Sequence, residues 1–213
     1  MPDAARRLLI ATRSRHKLGE LRALLALRPD TVLVSPDDVG IEGEPDETGM
    51  TFDTNARIKA RYYARLSGLP TIADDSGIEV EALDGGPGVR TRRYAGPDAT
   101  DAANNAKLLA ALHGLAAQRR GARYVCVLAL VQPRESGTRG RLWTVTRRGT
   151  CRGRIAEAPR GSAGFGYDPI FEPLPEPPGG RTLGEWTAEA KNEISHRSRA
   201  ARRMAPILHA RGF

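Results

Sequence analysis

The sequence predicts an α/β fold with a mixed β-sheet, because short apolar runs alternate along the chain with segments of helical periodicity. The run RYVCVLALV (residues 123–131) is continuously apolar, which is typical of a strand in the middle of a sheet. Residues 78–82 instead alternate apolar side chains with Glu79 and Glu81, as in a half-exposed strand. With 213 residues and no internal repeat, the chain is long enough for one α/β domain or two closely fused lobes.

The elements follow from local signals taken in chain order. Pro29 ends the first helical pattern, Thr51 caps the second helix and Gly68 closes it, and Pro206 kinks or restarts the last. Strands are predicted at residues 7–12, 31–35, 70–73, 78–82, 123–131 and 141–157, the last as one long or two short exposed strands. Helices are predicted at residues 14–28, 52–67, 98–115 and 187–210.

The composition weighs against nucleic-acid binding as the main activity, although the net charge is +8. Only four of the 33 basic residues are lysine, a bias more typical of a GC-rich genome than of a surface that follows phosphates. Aromatic residues make up 5% of the chain, too few for the stacking platforms of a single-strand binder.

The apolar runs also bound the compartment. The best run, residues 124–132, has the length of a strand and not the ~20 residues of a membrane span. The N-terminus shows no apolar signal region, so we expect a cytoplasmic protein without membrane partners. Cys126 and Cys151 lie far apart, which predicts neither a disulfide framework nor a zinc site.

A strand-to-helix turn, ATRSRHK (residues 11–17), is suited to bind phosphate. Free N–H groups and the positive end of the dipole meet there, Thr12 and Ser14 add hydroxyls, and Lys17 adds a charge. The turn lacks the glycines of a Walker loop. Taken alone, the turn is better explained as an ordinary N-cap followed by solvated basic residues.

Two groups of carboxylates suggest a metal site. Asp74 and Asp75 of ADDSG stand at the predicted C-terminal end of a strand, where open α/β sheets place their ligands. An acidic loop, EGEPDETG (residues 42–49), offers further carboxylates. Carboxylates together with substrate phosphates suit Mg²⁺, so that one aspartate would hold the metal while its neighbour orients or deprotonates water. Neighbouring residues of a strand point to opposite faces, so one of the two would face the metal; the alternative is a turn cap and a surface ion pair.

Two later motifs could bind a flat ring. In GFGYDPIF (residues 164–171) the glycines allow close backbone approach, and Phe165 and Tyr167 could sandwich a ring, unless the segment is simply a packed turn. In AKNEISHRSR (residues 190–199) a predicted helix groups polar residues that could read base edges or phosphates, unless it is only a basic helix end. These polar residues are Lys191, Ser195, His196 and Arg197.

Taken together, ETGMTFDTNARIKAR, ADDSGIEVEALDGGPGVRTRRYAG, PRGSAGFGYDPIF and EAKNEISHR closely resemble the non-canonical purine nucleoside triphosphate pyrophosphatases, the inosine/xanthosine triphosphate pyrophosphatase family. The resemblance runs nearly end to end, and so predicts a single functional domain over residues 1–213. It implies an elongated mixed sheet with flanking helices, in two lobes around a central active-site cleft, and a homodimer. It also implies Mg²⁺-dependent hydrolysis of ITP, dITP and XTP to the monophosphate and pyrophosphate, which removes deaminated purines from the nucleotide pool.

The resemblance assigns roles by motif position. Asp75 would be the proton acceptor or a metal-bound carboxylate, with its division of roles from Asp74 left open, and Ser76 would contact substrate. Glu47 would be the second metal ligand, with Asp46 its rival. The proposed triphosphate-binding residues are Thr12, Arg13, Ser14, Arg15, His16 and Lys17, with Asn55 and Lys59 in support. The proposed nucleobase residues are Phe165, Gly166, Tyr167, Asp168, Lys191, Ser195, His196 and Arg197.

The first motif departs from the family pattern, which has Thr-Gly-Asn followed closely by Gly-Lys or Lys-Lys. Here it reads TRSRHK, so that Ser14 would act as a shorter donor and Arg13 or Arg15 would add phosphate contacts. Two alternatives remain. Maf-like nucleotide pyrophosphatases share the broad architecture but lack the pairing of GFGYDPIF with SHR. A basic nucleic-acid-binding protein that kept the fold would have no need of the carboxylates.

Overall fold

A computed structural model describes residues 6–133 and 142–213 of the chain. Six strands form one mixed sheet in the order β2-β1-β3-β4-β5-β6, in which β1 pairs in parallel with β2 and β3, and β5 pairs antiparallel with β6. The strands are β1 (Arg6–Ile10), β2 (Thr31–Val34), β3 (Thr71–Val80), β4 (Gly121–Pro133), β5 (Leu142–Ile155) and β6 (Phe171–Pro173). The predicted α/β class with a mixed sheet is therefore confirmed.

Five helices accompany the sheet, and local caps set their ends. They are α1 (Arg15–Leu24), α2 (Phe52–Ser67), α3 (Asp101–Ala111), α4 (Ala188–Ile194) and α5 (His196–Ala210). Thr51 accepts a hydrogen bond from the backbone N–H of Thr54, and Gly68 ends α2 in the left-handed region at φ +67°. Both ends of α2 were predicted to the residue. Within residues 6–133 and 142–213, no helix combines the length and apolar character needed to cross a membrane.

Contacts divide the chain into two compact units, each with its own core. The first unit comprises the described parts of residues 1–75, 126–149 and 197–213, and its core includes Leu8, Ile72 and Leu128. The second comprises residues 76–125 and 150–196, and its core includes Ile78, Leu108 and Phe171. That residues 1–213 act as a single domain, with two lobes around a cleft, stays a prediction.

Strand β3 corrects one sequence prediction. Asp74 and Asp75 do not follow the end of a strand but lie in the middle of a continuous ten-residue one. Ser76 and Gly77, between the two predicted strands, belong to the strand, and Gly77 is needed for packing, because a Cβ there would meet the Thr91 Oγ1 atom at 2.3 Å. Thr91 instead accepts a hydrogen bond from the N–H of Ile78 at 2.9 Å. The glycine therefore reflects a close neighbour and not a change of direction.

Other boundaries also differ from the predictions. The predicted single helix at 187–210 is two helices, because Ser195 between them is extended at φ −62° and ψ 155°, and α5 then continues through Pro206. Helix α3 is shorter than predicted, since Thr100 caps it. The 141–157 strand is one strand, and it is not simply exposed, because Cys151 and Ile155 are buried. Residue 141 lies outside the described residues.

Candidate active site

Asp74 is fully buried in the first unit, where every side-chain oxygen is used. Lys17 Nζ lies 2.5 Å from Oδ1, while Arg197 Nε and Cys126 Sγ both donate to Oδ2 at 3.1 Å. Burial disfavours the charged carboxylate, but Arg197 and Lys17 together outweigh burial and hold the pKa of Asp74 well below its ordinary value. Asp74 is thus a buried anion that fixes two cations.

Arg197 belongs to this buried network. Its side chain is 1% exposed and pairs with Glu20 of α1 in addition to Asp74. The family resemblance predicts Arg197 in the nucleobase pocket together with Lys191 and His196. The structure instead groups Arg197 with the two carboxylates of the first unit, and assigns Lys191 and His196 to the second unit. The helix break at Ser195 accounts for the difference.

Asp75 has different surroundings from its neighbour. Lys59 Nζ lies 3.9 Å from Asp75 Oδ1 and 2.9 Å from Glu47 Oε1, and donates to the carbonyl oxygen of Asp74 at 3.2 Å. The Asp75 Oδ2 atom is buried and has no hydrogen-bond partner among the described residues. Burial raises the pKa of Asp75 to about 7, with Lys59 opposing the rise and Glu47 adding to it.

This arrangement fits a divalent cation. A buried carboxylate oxygen without a partner is a group that a cation satisfies, and hard oxygen ligands suit Mg²⁺. Glu47, about one-third exposed, reaches Lys59, whereas Asp46 is exposed and its backbone carbonyl accepts from the N–H of Thr48. The described residues contain no group of three or more acidic, His or Cys side chains arranged around a metal. A bound Mg²⁺ would therefore need ligands from phosphate and water as well.

The predicted phosphate turn is built around Lys17. Thr12 Oγ1 accepts from the N–H of Ser14 at 3.2 Å, and Ser14 Oγ accepts from the N–H of Lys17 at 3.4 Å. Ser14 is thus the N-cap of α1. Arg15 and His16 are exposed in the first turn, which leaves their predicted role as phosphate ligands a prediction.

Arg13 is directed into the acidic loop. Its guanidinium donates to Asp37 at 3.0 Å, to Glu44 at 2.9 Å and to Tyr63 Oη at 3.3 Å. It also donates to the backbone carbonyls of residues 41, 42 and 43. Because the fixed fork of an arginine suits several acceptors at once, Arg13 ties the turn before α1 to the segment that leads to Glu47. The predicted phosphate contact for Arg13 did not anticipate these partners.

Asn55 supports the same loop from α2. It is 1% exposed, and its Oδ1 atom accepts from the N–H of Gly49 at 2.7 Å. Asn55 therefore lies beneath the end of the loop that carries Glu47. Ser76, the next residue in β3 after the two aspartates, is half-buried.

A second polar cluster lies in the second unit, around Asp168. Lys191 Nζ lies 2.7 Å from Asp168 Oδ2, which also accepts from the N–H of Phe165 at 3.0 Å. Tyr124 donates its hydroxyl to Oδ1 at 3.3 Å. The Lys191 ammonium lies 4.8 Å from the centre of the Phe165 ring, a cation–π distance. The structure thus brings together three predicted nucleobase residues.

Tyr124 is a residue of this cluster that our sequence reasoning missed. Its ring stacks on His196 with 4.7 Å between centroids and 8° between planes, and it also packs on Phe171. Burial and Asp168 raise the pKa of Tyr124 well above its ordinary value, so its hydroxyl remains a donor. The sequence showed Tyr124 only as an aromatic residue in an apolar strand.

The remaining predicted residues of GFGYD and SHR are packed. Tyr167 is 2% exposed, and its hydroxyl donates to the carbonyl of Thr91 at 2.8 Å, so its ring belongs to the core of the second unit. Phe165 is half-buried. Ser195 is buried, and its N–H donates to the carbonyl of Lys191 at 2.9 Å.

Comparison of the sequence with known proteins identifies a family. A family model described as the Ham1 family matches residues 8–207. The chain is similar to a dITP/XTP pyrophosphatase of Syntrophobacter fumaroxidans, with 48% identity over 91% of this chain and 78% of that one. It is also similar to a dITP/XTP pyrophosphatase of Nocardia farcinica, with 47% identity over 96% and 95% of the two chains.

A solved structure agrees with these relatives. The fold is similar to that of a HAM1 protein from Coxiella burnetii, with a TM-score of 0.83 and 36% identity, covering 96% of this chain and 99% of that one. The resemblance inferred from the motifs is confirmed: the chain belongs to the Ham1 family.

Proposed function

We propose that this chain is a Mg²⁺-dependent pyrophosphatase of non-canonical purine nucleoside triphosphates, acting on ITP, dITP and XTP. The observation that carries the proposal is Asp75, whose buried and unpartnered carboxylate oxygen lies in a chain with relatives named dITP/XTP pyrophosphatase. The acidic residue Glu47 and the base Lys59 complete its surroundings.

The proposed reaction is attack of water on the α-phosphorus. The bond from that phosphorus to the oxygen bridging to the β-phosphate breaks, and the products are the monophosphate and pyrophosphate. Asp75 accepts the proton of the attacking water, a role for which its buried oxygen without a partner among the described residues is available. Asp75 and Glu47 would hold Mg²⁺, which when bound would neutralise phosphate charge.

Lys17 and the N-terminus of α1 bind the triphosphate. The side chain of Lys17 is 22% exposed and its ammonium is held by Asp74, an arrangement in which the ammonium would also meet an anion. The N–H groups of the first turn of α1 add donors. Asp74 is a positioning residue in this proposal, because both its oxygens are engaged by cations and by Cys126. Phosphoryl transfer depends on such alignment and charge stabilisation.

The second unit supplies recognition of the base. Phe165 is the half-buried aromatic residue proposed to contact the purine ring, while the packed Tyr167 supports the loop. Lys191, Ser195 and His196 supply polar contacts. A buried donor directed at O6 leaves an exocyclic amine unpaired, which disfavours adenine by roughly 1–3 kcal/mol.

The family resemblance also carries the proposal of a cytoplasmic homodimer, for which sedimentation equilibrium is the test.

The main test of the proposed activity is pyrophosphate release from dITP, XTP, dATP and dGTP, with and without Mg²⁺. We expect Mg²⁺-dependent release from dITP and XTP at least about tenfold faster than from dATP, which lacks O6, since discrimination of about 1.4 kcal/mol is tenfold. The substrate dGTP keeps O6, so its rate measures whether the 2-amino group is rejected as well. Equal rates on all four would contradict the proposed specificity. Absence of release from folded protein, with salt-dependent polynucleotide binding, would favour the nucleic-acid-binding alternative.

A further inference from the structure

Helix α3 contacts the loop that is proposed to bind the base. Two of its side chains hydrogen-bond to the same loop residue, Gly166. The Asp101 Oδ2 atom accepts from the N–H of Gly166 at 2.7 Å. The Asn105 Nδ2 atom donates to the carbonyl oxygen of Gly166 at 3.1 Å. Residues four apart lie on the same face of a helix, so Asp101 and Asn105 grip Gly166 together.

The grip acts on a backbone that only glycine adopts without strain. Gly166 has φ +64° and Gly164 has φ +76°. A Cβ at Gly164 would meet Asp168 Oδ2 at 2.1 Å, which shows how tightly the loop wraps that carboxylate. Asp168 holds the loop at the N–H of Phe165, and α3 holds it one residue later.

Both backbone polar groups of Gly166 have partners in the structure. Both are engaged by α3, and the side chains of Phe165 and Tyr167 leave the loop on either side of the held residue. Fixing the backbone between them fixes the direction in which the Phe165 ring is presented. The direction of the Phe165 ring would then determine how a bound purine ring contacts it.

Asn105 has one amide atom bonded to the loop and the other without a partner among the described residues. It is 6% exposed, and its Oδ1 atom has no hydrogen-bond partner among the described residues. A buried unsatisfied acceptor disfavours folding, and the apolar Leu108 and Leu112 fill the core nearby on the same helix. The hydrogen bond that Asn105 donates to Gly166 is its contribution in the structure.

We propose that Asp101 and Asn105 are positioning residues for recognition of the purine base, acting through Gly166. The inference rests on the proposed function. Loss of either hydrogen bond frees the loop, so that base binding weakens while the phosphate chemistry, which uses the first unit, continues. The effect is on KM and on the preference for dITP over dATP, and not on kcat.

Asn104 provides a matched control on the same helix. It is 2% exposed, donates to the carbonyl of Arg92 at 2.9 Å and accepts from the N–H of Ala95 at 2.8 Å. Asn104→Ala therefore removes a buried amide of α3 without touching Gly166. Asn105→Ala and Asp101→Ala are expected to raise the KM for dITP about tenfold with kcat within about twofold, while Asn104→Ala lowers the thermal midpoint and leaves KM unchanged.

Two further variants separate positioning from general loosening. Asp101→Asn keeps an acceptor oxygen and should retain a KM near that of the wild type. Asn105→Asp places an acceptor against the Gly166 carbonyl and should raise KM at least as far as alanine does. Equal KM increases in Asn104→Ala and Asn105→Ala would overturn the inference.

Amide hydrogen exchange at Gly166, followed by NMR, tests the grip without any substrate. Exchange should be slow in the wild type and at least about tenfold faster in Asp101→Ala, because its acceptor is gone. Unchanged exchange would overturn the inference whatever the kinetics. If the wild-type protein does not cleave dITP, the proposed function fails, and the assignment to base recognition fails with it even where exchange shows the grip.

Discussion

Both units of the chain bury a carboxylate beside a lysine, yet Asp168 in the second unit and Asp75 in the first differ in how far their oxygens are satisfied. In the second unit, Asp168 is satisfied by Lys191 at 2.7 Å, by the N–H of Phe165 and by Tyr124. In the first unit, Asp75 has Lys59 only at 3.9 Å and keeps one oxygen without a partner among the described residues.

The difference separates shape from chemistry. A fully hydrogen-bonded carboxylate rigidifies its loop and has little capacity left for a ligand. A carboxylate with a raised pKa and a free oxygen can take a proton or a cation. Asp74, the chain neighbour of Asp75, belongs with Asp168 in this respect, because both its oxygens are engaged.

The largest expected effect is the loss of turnover in Asp75→Asn. Removing the proton acceptor and metal ligand should lower kcat for dITP by about 10³-fold, within the range of general-base and metal contributions. Folding should not suffer, because the buried carboxylate is disfavoured where it stands. Asp46→Asn, a change in an exposed residue of the acidic loop, is the control and should keep nearly full activity. Comparable losses of kcat in Asp75→Asn and Asp46→Asn would show that Asp75 does not differ in function from Asp46.

Among substitutions in the carboxylate cluster, Asp74→Asn should lower the free energy of unfolding most. It removes an anionic partner from the Arg197 guanidinium, which is 1% exposed. Breaking a buried ion pair costs about 3 kcal/mol or more, equivalent to a fall of roughly 6–12 °C in Tm for a chain of this size. Calorimetry of Asp74→Asn beside Asp75→Asn measures the contrast. A Tm fall of similar size in both would show that Asp75 is structural too.

Arg13→Met should have an intermediate effect on the metal requirement. Without its contacts to Asp37 and Glu44, the loop that leads to Glu47 loses its tie to the turn before α1. The Mg²⁺ concentration for half-maximal activity should rise about tenfold, equal to 1.4 kcal/mol. Arg15→Met, at an exposed position, is the matched control. If Arg13→Met raises only the KM for dITP, Arg13 binds phosphate instead.

Tyr124→Phe should have the smallest effect. It removes a 3.3 Å hydrogen bond to Asp168 but keeps the stacking on His196, so the KM for dITP should rise less than about fivefold, within a 1 kcal/mol loss. Tyr124→Leu also removes the stacked ring and should do more. The prediction is wrong if the two variants have the same KM.

Local signals predicted much of the fold and little of the site. The ends of α2 could be predicted from Thr51 and Gly68, because each of them acts on residues that are close to it in the chain. The course of β3 could not be read this way. Two adjacent buried aspartates are tolerated within a strand because Lys17 and Arg197, 57 and 123 residues away, neutralise the first and Lys59 lies beside the second.

The residue types of the site were readable, but their partners were not. The motifs singled out Arg13 and Arg197 as ligand contacts. In the structure Arg13 donates to Asp37 and Glu44, and Arg197 is buried against Asp74 and Glu20. Tyr124 carried no polar pattern at all. Long-range pairing decides these three positions, and a local reading of the sequence does not contain it.

The most direct test of the central claim, that Asp75 holds the divalent cation, is a titration with Mn²⁺ followed by electron paramagnetic resonance. Mn²⁺ serves as a spectroscopic replacement for Mg²⁺, and pyrophosphate is present to supply phosphate ligands. The account predicts one bound Mn²⁺ per wild-type chain and affinity at least about tenfold weaker in Asp75→Asn, with Asp46→Asn unchanged. Equal Mn²⁺ affinity in the wild type and Asp75→Asn would contradict it.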